Sequence, residues 1–221
     1  MRGILLDLDG TLIDSRATIL RCLNTVLDAR GAPLFTEGEI TELIGSPLHD
    51  ILALRIKDVE RAAREYRDLQ VATLHLDMKP FEGALGFLEW LHTRRLPAAV
   101  LTMRRTYVAK HILDRLDMSR LLSAILGEDD LQEGKPSPGA ALAACQAIGV
   151  PPEDAVFVGD TRYDILCGKG VGCTTIGVLW GYGSMEELKD ADILVGSFKD
   201  LESAIAGLTN KKKGGGINPD P

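Results

Sequence analysis

Three short apolar runs, each stopping at a polar cluster, constrain this chain more than any other feature. Ile4–Leu6 stops at Asp7, Ala98–Leu101 at Thr102, and Ala155–Val158 at Gly159-Asp160. A run of this length without polar alternation reads as a strand buried on both faces, as in a parallel sheet. Ala124–Leu126 before Gly127 and Thr174–Leu179 before Trp180-Gly181 repeat the pattern more weakly. Helical spacing fills the intervals at Ala84–Arg94, Thr106–Leu116 and Pro138–Ile148, the last ending at Gly149, a helix stop. Alternation of this kind predicts an α/β fold with a doubly wound, Rossmann-like parallel-sheet core and helices on both faces.

One block breaks the alternation. From about Ser15 to Met78 the pattern is almost wholly helical, over Ser15–Arg30, Glu37–Ile44, Leu48–Ile56 and Val59–Leu76. Gly31-Ala-Pro33 and Gly45-Ser-Pro47 separate these helices. A helical block inserted straight after the first strand predicts an α-helical cap domain over 15–80. Its expected hinges are Asp14–Ser15 and Lys79–Gly83, leaving 1–14 and 81–208 as the α/β core. The Lys- and Gly-rich stretch 209–221 is low in complexity and is expected to be a disordered tail.

The bulk composition excludes several classes. The 221 residues carry 25 basic and 32 acidic side chains, a net charge of −7, which disfavours nucleic acid and anionic lipid as partners. An anionic ligand would therefore need a local cationic feature to draw it in. Cys22, Cys145, Cys167 and Cys173 form no CxxC pair and read as buried, reduced thiols. No apolar stretch reaches the length of a membrane span, and the N-terminus has no signal-peptide pattern, so a cytoplasmic protein is expected. The sequence does not specify an oligomeric state.

The candidate chemistry lies where the strands end. In extended chain Asp7 and Asp9 point the same way, and Gly10 lets the backbone turn off at once. Ligands of open α/β sheets bind beyond the carboxyl ends of the strands, where Asp160 and Asp164 also fall. Helix capping would explain a single such aspartate, but two pairs after separate strands point to a site. Four converging carboxylates require a proton or a cation among them, and hard oxygen donors suit Mg²⁺. Lys135, in a loop stiffened by Pro136 and Pro138, could neutralise both a phosphate and the aspartates. Thr102 offers a hydroxyl and a nearby backbone N–H to a phosphate oxygen. Arg104 and Arg105 are candidates for added positive field or for plain solvated charge, and the Trp180-Gly181 turn for packing at the border of the site.

Together these residues resemble the haloacid dehalogenase superfamily of phosphohydrolases over about 1–208. Asp7-Leu-Asp-Gly-Thr-Leu12 matches its first motif, Thr102 the second, Lys135 in Gly-Lys-Pro the third, and Gly159-Asp-Thr-Arg-Tyr-Asp164 the fourth. The resemblance implies that Asp7 attacks phosphorus and ligates Mg²⁺, while Asp9 donates a proton to the leaving group, then activates water, and lends its carbonyl to the metal. It implies that Thr102 and Lys135 hold the phosphoryl group, that Asp160 ligates Mg²⁺, and that Asp164 supports the metal through water or orients Lys135. Asp9 sets the chain apart from the superfamily's dehalogenases and phosphonate hydrolases, which lack it. A helical cap between the first two motifs resembles the phosphoglycolate phosphatase and pyrophosphatase group, and Ile44-Gly45-Ser-Pro-Leu48 resembles the substrate-specificity loop of such caps. Gly45 and the adjoining His49 are thus candidate substrate contacts. Met103 and Tyr163 stand where relatives usually carry asparagine.

The expected function is Mg²⁺-dependent hydrolysis of a small phosphorylated metabolite, phosphoglycolate-like, through an aspartyl-phosphate. Two alternatives share the motifs: a phosphomutase resembling β-phosphoglucomutase, and a non-catalytic binding protein on the same fold. The second would be expected to have lost motif residues, and here all six are present.

Overall fold

A computed structural model of the chain describes residues 2–73 and 78–211. The apolar runs become parallel strands β1 (Gly3–Leu6), β4 (Ala98–Leu101), β5 (Ala124–Leu126), β6 (Ala155–Gly159) and β7 (Thr174–Val178), with β8 (Ile193–Val195) at one edge. They form one sheet in the order β5-β4-β1-β6-β7-β8. The registers Ile4↔Ala98 and Ile4↔Val156 place β1 between β4 and β6. The winding reverses at β1, so a crevice opens at the carboxyl ends of these three strands.

The absence of polar alternation has its expected physical outcome. Ile4, Leu6, Val100, Val156 and Val158 pack on one face against α5 (Ala84–Thr93), α6 (Thr106–Arg115) and α9 (Phe198–Lys211). Leu5, Ala99, Leu101 and Phe157 pack on the other against α7 (Pro138–Ala147) and α8 (Arg162–Gly170). Helix α8 approaches closely because Gly168 has no side chain; a Cβ there would lie 2.9 Å from both Phe157 and Thr175.

Four helices interrupt the core after β1: α1 (Arg16–Asp28), α2 (Glu37–Leu43), α3 (Leu48–Ala53) and α4 (Val59–Thr73). They enclose an apolar cluster of their own, including Leu23, Leu27, Ile40, Leu52 and Tyr66. The chain enters this cap along β2 (Ile13–Asp14) and returns along β3 (Lys79–Pro80), and the two crossings pair antiparallel. Residues 74–76, the expected end of the fourth cap helix, lie outside the described residues. Helix α9 runs to Lys211, three residues into the stretch expected to be a tail; 212–221 lie outside the described residues.

Candidate active site

The loops that leave β1, β4 and β6 bring the predicted polar residues to one place. After β1, Gly10 takes φ +88°, and a Cβ there would come within 2.2 Å of Asp160 Oδ2. Only glycine satisfies both the turn and that approach. Asp160 directly follows β6 and is fully buried, accepting from Thr11 Oγ1 at 2.9 Å and from the backbone N–H of Tyr182 at 2.8 Å. Asp164 sits in the first turn of α8, where its Oδ2 accepts from the backbone N–H and hydroxyl of Thr161. Capping and site chemistry thus share one carboxylate.

Lys135 is buried between two of these acids. Its Nζ donates to Asp7 Oδ1 and, at 2.6 Å, to Asp164 Oδ1. Asp7, Asp160 and Asp164 each present one carboxylate oxygen within 4.8 Å of the others. Burial pushes the Asp7 carboxyl well above the usual range, against the pull of Lys135 and with the neighbouring acids adding to the rise. Burial, then Asp164, raise Asp160 to about 7. Burial opposes charge on Lys135, but Asp164 and Asp7 outweigh it and raise the ammonium above its ordinary value. Three crowded acids facing one ammonium leave a negative excess that a hard divalent cation would relieve, so the donor set fits Mg²⁺.

Asp9 stands apart from that triad. Arg104 clamps it from Nε to Oδ2 and from Nη2 to Oδ1, both at 2.7 Å, and the Ser15 hydroxyl donates to Oδ1 as well. Arg104 is buried, and Asp9 holds its guanidinium charge firmly against the cost of burial. The alternative of a solvated Arg104 is therefore corrected, whereas Arg105 is exposed, 3.7 Å from Glu128.

A cavity of about 80 Å³ lies under the cap. Asp7, Asp9, Thr102, Arg104 and Lys135 border it from the core, and Gly45, Tyr66, Arg67 and Gln70 from the cap. Asp160 and Asp164 lie behind this surface, so the carboxylate triad and the cavity meet at Asp7. Thr102 is buried, its hydroxyl accepting from the Arg104 backbone N–H at 3.2 Å.

Of the cap candidates, Gly45 is at the cavity, in a left-handed conformation (φ +97°) with Thr161 and Tyr163 against it. His49 is outside the cavity, 3.1 Å from Glu60, in a neighbouring groove that shares Arg67 and Lys135 with it. Trp180 packs on Phe198 and donates to the Thr11 carbonyl at 3.0 Å.

Sequence reasoning missed Tyr66, Arg67 and Gln70, which helical spacing marks only as one face of α4, and the roles of Ser15 and Tyr182. The Tyr182 hydroxyl accepts from the N–H groups of Ser15 and Arg16 and donates to Asp14 Oδ1. No local motif announces it; only its position directly after Trp180-Gly181 hinted at the site.

Comparison with known proteins agrees with this geometry. The family model described as haloacid dehalogenase-like hydrolase matches residues 4–178. A phosphoglycolate phosphatase of Xanthomonas campestris pv. campestris (strain 8004) is 32% identical over 202 residues, covering 88% of this chain and 91% of that protein. Two crystal structures share the fold. A "predicted phosphoglycolate phosphatase" from Haemophilus somnus 129pt superposes with a TM-score of 0.85 at 24% identity, covering 93% of this chain and 98% of the other. CbbY from Rhodobacter sphaeroides, in complex with xylulose-(1,5)bisphosphate, gives 0.81 at 23% identity, covering 91% and 96%. With its sheet, its cap and its Asp-rich strand ends, the chain belongs to the haloacid dehalogenase-like hydrolases and is a phosphatase of that family.

Proposed function

We propose that the chain hydrolyses a small phosphate monoester, of the size and charge of phosphoglycolate, through a phosphoryl group carried on Asp7. The observation that carries this reading is the position of Asp7, one carboxylate belonging to both the buried triad and the cavity wall. An Asp7 oxygen attacks phosphorus and the bond to the leaving alcohol breaks, that alcohol taking its proton from Asp9. Water then attacks the phosphoryl-aspartate with Asp9 as base, releasing inorganic phosphate and restoring both acids. Lys135 and Thr102 orient the phosphoryl oxygens. Asp7, Asp160 and Asp164, with the carbonyl of Asp9, are the groups that would hold Mg²⁺, which when bound neutralises charge on the phosphoryl group.

The cavity supports a small substrate. About 80 Å³ is room for roughly five to eight water-sized groups, which suits a two- or three-carbon ester better than a sugar bisphosphate. It is small for the sugar bisphosphate on which the mutase alternative depends. The names of the curated relatives point the same way. All four cysteines are buried thiols, and no helix among the described residues is long and apolar enough to cross a membrane. The buried thiols support the reading of a cytoplasmic enzyme. Intact-mass measurement after mixing with acetyl phosphate and Mg²⁺ tests the central claim. Wild type is expected to gain one phosphoryl group and Asp7→Asn none; an adduct on Asp7→Asn would overturn it.

A further inference from the structure

The pair formed by Arg104 and Asp9 conflicts with the duty that hydrolysis assigns to Asp9. An acid that must give a proton to the leaving group cannot do so while both its oxygens accept from a guanidinium. Arg104 must therefore release Asp9 in the productive complex. A buried guanidinium does not simply let go, because an unpaired charge away from water is strongly disfavoured. Another anion has to take it.

The cavity is arranged to supply that exchange. Arg104 Nη1 is buried and makes no hydrogen bond among the described residues, although the other two nitrogens are committed to Asp9. Around it α4 contributes Tyr66, Arg67 and Gln70, all buried, and the Arg67 Nη2 is already taken by Glu128 at 2.8 Å. Lys135 and Thr102 are the groups for the phosphoryl end. What remains for Arg104 is the far end of the substrate, on the cap side of the cavity.

We propose, resting on the hydrolytic reading above, that Arg104 is an exchange clamp for a carboxylate on the alcohol part of the substrate. The carboxylate takes the guanidinium, Asp9 is released to act as the acid, and phosphorylated carboxylic acids are selected over phosphorylated neutral alcohols. Arg104 touches the substrate for specificity and acts on the chemistry only through Asp9, as a positioning residue.

The test uses the full chain with Mg²⁺ and two esters that differ at one end, 2-phosphoglycolate and 2-hydroxyethyl phosphate. Wild type is expected to favour the acid in kcat/KM by ~10–100-fold, the range of a buried, charge-assisted hydrogen-bond pair. Arg104→Met should bring that ratio close to one, and Arg104→Lys should leave an intermediate value. A purely structural role would lower both esters together and leave the ratio in place. An unchanged ratio in Arg104→Met, or no preference in wild type, overturns the proposal while leaving hydrolysis standing. Should Arg104→Met fail to fold by circular dichroism, an unchanged ratio in Arg104→Lys overturns it instead. Wild type inactive on both esters and on p-nitrophenyl phosphate removes the hydrolytic reading, and the clamp with it.

Discussion

The core and the cap hold their site residues in different ways. In the core, Asp7, Thr102 and Asp160 follow strands packed on both faces, and each is tied by short hydrogen bonds or neighbouring charges. The cap has its own apolar cluster, Val71 of α4 packs on the core cluster and Tyr182 of the core on the cap cluster, and near the site polar links join the two. These are Arg67 to Glu128 at 2.8 Å, Ser46 to Tyr163 at 3.1 Å, and the Tyr182 hydroxyl on the first crossing. A seam of polar links with few apolar contacts opens at lower cost than one shared apolar core. The difference supports the proposal that the core holds the chemistry fixed and the cap admits the substrate.

The comparison is easiest to break at the core. Asp7→Asn should lower turnover by more than about 10³-fold, since a neutral amide replaces the nucleophile. Asp9→Asn should still accept a phosphoryl group from acetyl phosphate, whose leaving group needs no acid, yet release it slowly. Rapid turnover of a phosphoryl group by Asp9→Asn would remove Asp9 from the acid–base role. Excess chelator should abolish turnover while the far-ultraviolet dichroism stays unchanged, because the triad lies at the end of a sheet that packs without it. Loss of the helical signal together with activity would instead make the metal a folding element.

The core was more legible in the sequence than the seam, for physical reasons. A strand buried on both faces writes itself as an unbroken apolar run, so Ala98–Leu101 matches its strand residue for residue; the edge strand Ala124–Leu126 matches too, although only Leu126 is buried. Strand β8 was missed because it is only three residues long at the sheet edge, with Leu194 exposed and Val195 alone buried. Helix α8 was missed because Gly168 and Gly170 dilute its helical pattern, although Gly168 is what allows its close packing. At the site, the motif positions identified the carboxylates and Lys135. They did not reveal that Asp9 faces Arg104, away from the triad. The positive charge facing the aspartates is therefore not Lys135 alone: the buried +1 of Arg104 stands beside it, and no motif marks it. Partners drawn from separate elements are set by tertiary packing, and no spacing rule encodes them.

At the seam, Arg67→Ala removes the link between α4 and the turn Glu128–Asp130. Arg67 is the more buried of the two, and Arg105 is the other cation near Glu128, so the loss should be moderate. KM is expected to rise about tenfold with kcat changed less, as fits a weakened closed state. The reversed pair Arg67→Glu with Glu128→Arg should recover part of the loss in a double-mutant cycle. Additive losses would mean that the ion pair does not hold the cap.

The smallest effect concerns Tyr182, which touches both bodies at once. Its backbone N–H donates to Asp160, and its hydroxyl caps the start of α1 by accepting from Ser15 and Arg16. That cap is needed because Ser15, at the N-cap position, turns its own hydroxyl to Asp9 and leaves the helix N–H groups to another acceptor. Burial holds the phenol in its protonated form, which keeps its donor on Asp14. Tyr182→Phe removes the three hydroxyl bonds and leaves the backbone bond to Asp160 in place. KM should therefore rise about threefold to fivefold, an N-cap being worth roughly 1 kcal/mol, while the Mg²⁺ concentration giving half-maximal activity stays where it was. If the metal requirement moves and KM does not, the loop acts through Asp160, and the separation of fixed core from admitting cap fails at the residue that joins them.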